Sequence, residues 1–245
     1  FAVGDIYLGK ARKVVPGLNA SFVDVGYEKD GFLHYHDLGP QARSLNKYVR
    51  QTISGRQNKW SLTDFTLEKD IPKSGIIDSV LTSKQNVLVQ VTKEPISTKG
   101  PRISSELSIA GRYLVLVPFS DRVSVSQKIK DSGEKERLKR LIQSIRPKGF
   151  GVIIRTVAQD KKVAELDSDL TNMLTKWKTI YKKLQKAKAT EKILGELGRV
   201  SAILRDILND SFNSIVVDSQ ELHNEVSRYL QTIAPDKENI LKLYK

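Results

Sequence analysis

The sequence predicts an α+β protein, a small antiparallel β-barrel followed by a mixed α/β region. A strand pattern over residues 4–35 is punctuated by Gly9, Gly17, Gly26 and Gly31, where a missing Cβ suits bends and bulges. Farther on, Leu166, Leu170, Met173, Leu174, Trp177, Ile180, Tyr181 and Leu184 recur on one face at helical period. From Tyr113 onward, short apolar runs alternate with amphipathic ones, the pattern of a mixed α/β layer.

Taken in order, residues 4–35 read as three strands. Residues 37–72 interrupt them: Ala42 to Gln51 has helical spacing and the stretch through Gly55, Gln57, Asn58 and Lys59 is polar, so this segment reads as an insertion. Residues 76–92 return to strand, with Ile76, Ile77 and Val80 followed by Val87 to Val91, and Ile103 to Ile109 reads as the last barrel strand. Tyr113 to Pro118 is a continuous apolar run and hence a buried strand. A charged helix spans 133–146 and stops before Pro147 and Gly149, and Gly151 to Thr156 is a strand. The long helix through Leu184 carries Lys176, Lys178, Lys182, Lys183 and Lys186 on its other face. A second helix is expected from Glu191 to Asn209, a strand at Ser214–Asp218, a helix at 220–233 capped by Ser219, and a closing strand at 239–244.

The 245 residues are enough for two domains. A net charge of +13 favours a polyanionic partner: RNA, DNA or an anionic membrane. No cysteine is present, which excludes disulfides and Cys-ligated zinc and makes the cytoplasm the expected compartment. No apolar run approaches the ~18 residues of a membrane span. The start at Phe1 and the strand-like end at Leu241–Lys245 read as cuts through a larger protein.

Basic and aromatic side chains on one small barrel suit single-stranded nucleic acid, in which bases stack and phosphates are neutralised. The opening tracts, Gly4 to Val15, Asn19 to Gly26 and Asp30 to His34, resemble the first strands of an S1 RNA-binding domain, an OB-fold barrel. The tract from Val89 to Thr156 resembles the ribonuclease E/G family of bacterial endoribonucleases. The matching motifs are Gln90–Glu94, Lys99-Gly100, Leu107–Pro118 and Gly149–Ala158, with Lys242-Leu243-Tyr244 at the end. The insertion at 37–72 is most similar to a ribonuclease G-like, Bacteroidetes-type member.

The resemblance implies an S1 domain over 1–110, with 37–72 inserted, and a 5′-sensor domain over 111–245. It implies that the parent cleaves single-stranded RNA in RNA processing, decay and rRNA maturation. Its catalytic aspartates and their Mg²⁺ are expected outside this chain, as is a zinc link joining the protomers of a homo-oligomer. No catalytic residue, metal ligand or cofactor is expected within these residues. The expected partner is single-stranded, 5′-monophosphorylated RNA. A non-catalytic S1-type RNA- or ribosome-binding protein, or a basic scaffold, is the alternative reading.

Phe22 and Phe32 match positions that present rings to RNA, although an aromatic in a small barrel commonly fills its core. Lys93 and Lys99 match lysines near the RNA path, and Lys10, Arg12 and Lys13 are candidates to extend that strip; the commoner fate of a lysine is a solvated surface. Arg155 and Thr156 match a pair that binds the 5′-monophosphate, and Gly111 and Val115 match positions whose backbone lines that pocket. An Arg at the end of an apolar strand needs a partner, either a phosphate held bidentately or a carboxylate of the same domain. Gln127 and Lys128 stand where relatives carry paired arginines, which weakens that edge. His34 and His36 are too few for a metal site, and His223 is isolated on a helix. Asp167 with Asp169, and Asp206 with Asp210, read as helix-surface charges.

Overall fold

Ten residues of β1 (Ile6–Val15) serve three neighbours, and this sharing organises the barrel. The computed structural model describes residues 1–209 and 211–244. Its first half follows the antiparallel order β1, β2 (Ala20–Asp24), β3 (Gly31–His34), β5 (Arg102–Ser104), β4 (Asn86–Lys93), and β4 returns to β1. Only the β3–β5 contact is parallel, with Phe32 opposite Arg102. The closed five-stranded barrel is therefore of the OB type, as expected. The early half of β1 pairs with β4, Ile6 opposite Gln90 through Lys10 opposite Asn86, and its later half pairs with β2. To serve both, β1 must bend, and its register against β2 shifts between Ala11 and Lys13. At Gly9 a Cβ would stand 2.5 Å from Val23 Cγ1, so only glycine lets the two strands approach there.

Both faces of the wall formed by β1 and β4 are buried. Tyr7, Val87, Val89 and Val91 point into the barrel with Val23, Leu33 and Ile103, whereas Ile6, Leu8 and Leu88 point outward into a second core. That core is shared with a four-stranded sheet ordered β6 (Ile109–Ala110), β7 (Leu114–Pro118), β9 (Phe150–Ile154), β8 (Val123–Val125). Helices α2 (Ser132–Ile145) and α3 (Val163–Leu184) contribute Leu138 and Ile142, and Leu166, Leu170, Met173, Trp177 and Ile180. In α2, Asp131 caps the start by accepting from the Gly133 N–H at 2.9 Å, and Pro147 follows its end.

The insertion is not a loose polar appendage. Its helix α1 (Ala42–Ile53) buries Leu45, Tyr48 and Val49, and Leu62 follows them into the second core. Tyr48 lies 5.4 Å from both Phe119 and Trp177, ring centre to ring centre, and Trp177 lies 5.9 Å from Phe150. The Trp177 Nε1–H and the Tyr48 hydroxyl both donate to the Trp60 carbonyl, at 3.0 and 3.3 Å, and Tyr181 donates to Gln57 O.

The chain divides into two compact units, Phe1–Glu196 and Leu197–Lys245. The second unit packs α4 (Arg199–Ile207) and α5 (Gln220–Ile233) on a parallel pair, β11 (Ile215–Val217) and β12 (Leu241–Leu243), around Leu204, Val226 and Leu230. Ser219 caps α5, its hydroxyl accepting from the Leu222 N–H.

Three segments differ from expectation. Residues 77–79 form a 3-10 turn rather than strand, because Ile77 alone is buried while Ile76 is exposed. Residues 103–109 split between β5 and β6, which belong to different sheets. The expected helix from Glu191 begins instead as β10 (Glu191–Leu194), which adds to the open side of β1 with Tyr7 opposite Lys192. Ile193 is its one buried side chain, and Gly195 and Gly198 separate it from α4.

Asp5 secures that added strand. Its carboxylate, 2% exposed, meets Lys192 Nζ at 2.7 Å and accepts from the Glu196 and Ala2 N–H groups. Burial alone would push its pKa up; the Lys192 ammonium and the two amides outweigh this and hold it below the ordinary value. A lowered folded value means stability that is present above about pH 4 and lost as pH falls through the folded value. Asp5→Asn should therefore lower the urea midpoint at pH 7 and lose most of that difference in strong acid. Trp177→Ala, at a fully buried site, should cost about 3–5 kcal/mol in the same assay.

Candidate nucleic-acid interface

Alternation along β2 and β3 decides where the two phenylalanines go. Val23, Val25 and Leu33 are turned into the barrel, so Phe22 and Phe32 lie on the opposite face, half-exposed and outside the barrel core. They sit directly opposite one another across the β2–β3 ladder, with ring centres 5.8 Å apart and edge to face. His34 continues the row, 6.4 Å from Phe32, and His36 lies 5.0 Å from His34. The ring atom His34 Nδ1 accepts from the His36 N–H, so the pair forms a turn; among the described residues no group of three or more His, Asp or Glu is placed to hold a metal ion.

The phenylalanines open onto a groove of about 670 Å³ whose other walls include Lys93, Lys99 and Arg102. Lys93 ends β4, and Lys99 lies on the loop that bridges Ile96 to itself. Both lysines are exposed, and Ile96, 69% exposed, adds an apolar surface beside them. Sequence reasoning missed Arg102, which is gripped by both oxygens of Asp37 at 3.0–3.1 Å, so its guanidinium is held in place at the groove wall with its charge met by that carboxylate. Of the other basic candidates, Lys13 is opposite Phe22, and Lys10 is exposed opposite Asp24. Arg12 is tied to Asp24 at 2.6 Å.

A second cluster forms around the β6–β7 turn. The Arg155 Nη1 donates to Gly111 O at 3.0 Å and to Arg112 O at 3.3 Å. Thr156, next in the chain and exposed, shares a 2.9 Å hydrogen bond with the Ser126 hydroxyl. Beneath the turn lies Asp169 of α3, whose carboxylate accepts from the N–H groups of Arg112, Tyr113 and Leu114 at 2.9–3.0 Å. Asp169 is therefore not the helix-surface charge expected. Nothing in the local sequence marks it, because the contact joins residues more than fifty apart. It also explains Gly111, where a Cβ would stand 2.5 Å from an Asp169 oxygen.

The Gly111 N–H itself donates to Leu114 O. The Arg155 N–H bonds Tyr113 O, so antiparallel alternation places Val115 and Ile153 in the next hydrogen-bonded pair and engages the Val115 backbone in the sheet. Val115 and Ile153 present half-exposed and exposed side chains on the outer face of that sheet. Gln127 and Lys128 are exposed one and two residues beyond Ser126.

The lysine face of α3 is only partly free of structure, since Lys178 lies 4.5 Å over the Trp60 ring while Lys182, Lys183 and Lys186 are exposed. His223 lies on α5 with a buried Nδ1. Asp206 is half of an adjacent Arg205 pair, and Asp210 lies outside the described residues. No described helix is long and apolar enough to cross a membrane.

A family model described as Ribonuclease E/G family matches residues 108–245. Among curated proteins, ribonuclease E of Nostoc sp. is 34% identical over 230 residues, 94% of this chain and 30% of its own length. Ribonuclease G of Escherichia coli is 31% identical over 242 residues, 99% of this chain and 46% of its own. This chain thus spans less than half the length of either relative.

The turn geometry yields a test. Gly111→Ala should destabilise the fold by forcing the Asp169 carboxylate off its amides, and Asp169→Leu should leave those amides unmet at a cost of about 1–3 kcal/mol. Urea unfolding of the two single variants and the double variant checks this. Costs that simply add would mean that the glycine and the carboxylate are independent.

Proposed function

The chain belongs to the ribonuclease E/G family, and from that premise we propose that it is the RNA-recognition part of an endoribonuclease acting on single-stranded RNA in the cytoplasm. The observation that carries this reading is the Phe22–Phe32 pair, held out of the core and facing a groove walled by Lys93 and Lys99. Rings on a barrel face accept bases of any sequence by stacking, and the lysines meet the phosphates between them. In this reading residues 1–110 act as the S1 domain and 111–245 as the 5′-sensor domain.

The second element of the proposal is recognition of a 5′-monophosphate at Arg155 and Thr156, with Gly111 and Val115 lining the site. Support comes from the placement of a guanidinium, steadied by two carbonyls, beside the Thr156–Ser126 hydroxyl pair. A phosphate dianion would take charge-assisted hydrogen bonds from the Arg and further ones from the hydroxyls. With the Gly111 amide and the Val115 backbone engaged internally, those two residues contribute shape. Size rather than charge would then have to discriminate against a 5′-triphosphate.

Cleavage is assigned to residues outside this chain, which spans 30–46% of the relatives' lengths. The family's Mg²⁺ would be held there too, in a homo-oligomeric parent. The described residues bring together no carboxylate group fit for the ion, so no metal-dependent step is derived for them.

The 245-residue chain incubated with 5′-labelled RNA and Mg²⁺ should leave the RNA intact. Phe22→Ala and Phe32→Ala should each weaken single-strand binding by about 1–3 kcal/mol with little change in salt dependence. One short RNA carrying a 5′-monophosphate, hydroxyl or triphosphate should bind best as the monophosphate. Arg155→Lys should erase most of that preference, because it loses the planar fork. Equal affinity for monophosphate and hydroxyl ends, unchanged in Arg155→Lys, would reduce Arg155 to a structural role.

A further inference from the structure

At the opposite end of β4 from the aromatic groove lies a second groove of about 840 Å³, between α1 and the loop that leads into β4. The two grooves share no lining residue. Asn86 borders one and Lys93 the other, so the length of β4 separates them by about 23 Å.

Four cations line the second groove: Arg43, Lys47 and Arg50 from α1, and Lys84 from the loop. Arg43 and Arg50 are two turns apart on one helix face, about 10.5 Å along the axis. Glu68 is the one carboxylate in the lining. Lys47 takes it at 2.7 Å, and that hydrogen bond holds the Glu68 carboxyl below the ordinary range. Arg43, Arg50 and Lys84 are in no ion pair among the described residues; Arg43 and Arg50 add to the field on Glu68, and the four cations outnumber this one carboxylate by three. Lys84 is held in the left-handed region, φ 68°, at the tip of its turn. The Gln85 side-chain oxygen is engaged by the Thr82 N–H and hydroxyl, which leaves its NH₂ as a donor.

We propose that this groove binds the sugar–phosphate backbone of RNA whose bases are already paired. The inference rests on reading the chain as RNA-binding but concerns a different surface and a different form of RNA. The side-chain amides of Asn46, Gln85 and Asn86 stand among these cations as neutral donors of the kind that contact phosphate and sugar without reading sequence, whereas the Ser54, Thr82 and Ser83 hydroxyls already donate within the chain. No aromatic side chain lines this groove, so it offers unpaired bases nothing to stack on. That distinguishes it from the Phe22–Phe32 face, where stacking demands exposed bases. Double-stranded RNA is held chiefly through phosphate and 2′-hydroxyl contacts. A folded RNA could lay a stem here and its single-stranded flank across β4.

The test is binding of the 245-residue chain to a short blunt RNA duplex and to an unstructured RNA of equal length, both with 5′-hydroxyl ends, over a series of salt concentrations. Arg43→Ala/Arg50→Ala/Lys84→Ala should weaken duplex binding about tenfold or more. It should also reduce the slope of log K against log salt by about 2–3, while single-strand binding changes little. Arg50→Glu alone, at an exposed site, should weaken the duplex in the same direction without touching the core. Phe22→Ala/Phe32→Ala should do the reverse, weakening the single strand and sparing the duplex. If the phenylalanine variant spares both RNAs while the cation variants weaken the duplex, the aromatic reading fails and this one stands. Duplex binding that is absent in the unaltered chain, or unchanged in both cation variants, would overturn the inference. So would capture of poly-glutamate through the same cations with no duplex binding, which would give the groove to an acidic protein.

Discussion

One backbone carbonyl, that of Trp60, sits where three parts of the chain meet. It accepts both the indole N–H of Trp177 and the hydroxyl of Tyr48. Both side chains are fully buried, and leaving either polar tip unmet there would cost a few kcal/mol. The stretch after α1 must therefore run back over α3, and α1 must lie where its tyrosine reaches the same oxygen. Phe119 and Phe150 close around Trp177 from the four-stranded sheet. Barrel, insertion and sheet are thereby set in one arrangement, and every candidate site residue on Phe1–Glu196 inherits its position from it.

The insertion is then understandable as mortar between the barrel and the sheet. Its helix has two working faces. Leu45, Tyr48 and Val49 point into the shared core, while Arg43 and Arg50 border the basic groove. Burial of the first face fixes the spacing of the second, so cations on a long, otherwise mobile side chain start from a rigid base. The same economy appears at the β6–β7 turn, where Asp169 draws in three amides from below and Arg155 meets two carbonyls of the turn. The turn's donors and acceptors are satisfied by opposite charges, which explains how it holds its shape without a longer hairpin.

What could be read in the sequence follows the range of the interactions. The barrel strands, α2, α3, α5 and Ser219 as a cap were legible because alternation, helical period and capping are local. The outward placement of Phe22 and Phe32 was legible only as one of two options, since period two fixes that Val23 and Leu33 oppose them but not which side is the core. Glu191–Leu194 was misread because residues 191–194 join a strand begun near Ile6, and no local signal announces that partner. Asp169 and Arg102 were missed for the same reason: each acquires its role from a contact many residues away, with Arg112–Leu114 in one case and Asp37 in the other. The insertion's polar composition hid Trp60, Leu62 and Phe65, few in number but decisive in packing.

The charge of the chain is divided in a way that net charge alone does not convey. Arg12, Arg102, Arg137 and Arg146 are each held by a carboxylate at 2.6–3.0 Å, and such pairs orient loops and strand ends while contributing little field at a distance. Lys93, Lys99, Arg43, Arg50 and Lys84 are in no such pair among the described residues, and all five border one of the two grooves. Those five stand on concave surface, where a low-dielectric wall focuses the field of the cations it carries, while Lys182, Lys183 and Lys186 at the C-terminal end of α3 carry exposed charge elsewhere. On the reading proposed above, an approaching polyanion would be drawn to both grooves by charge. What lies between the cations differs: two phenylalanine rings in the groove at the Lys93 end of β4, side-chain amides in the groove at its Asn86 end.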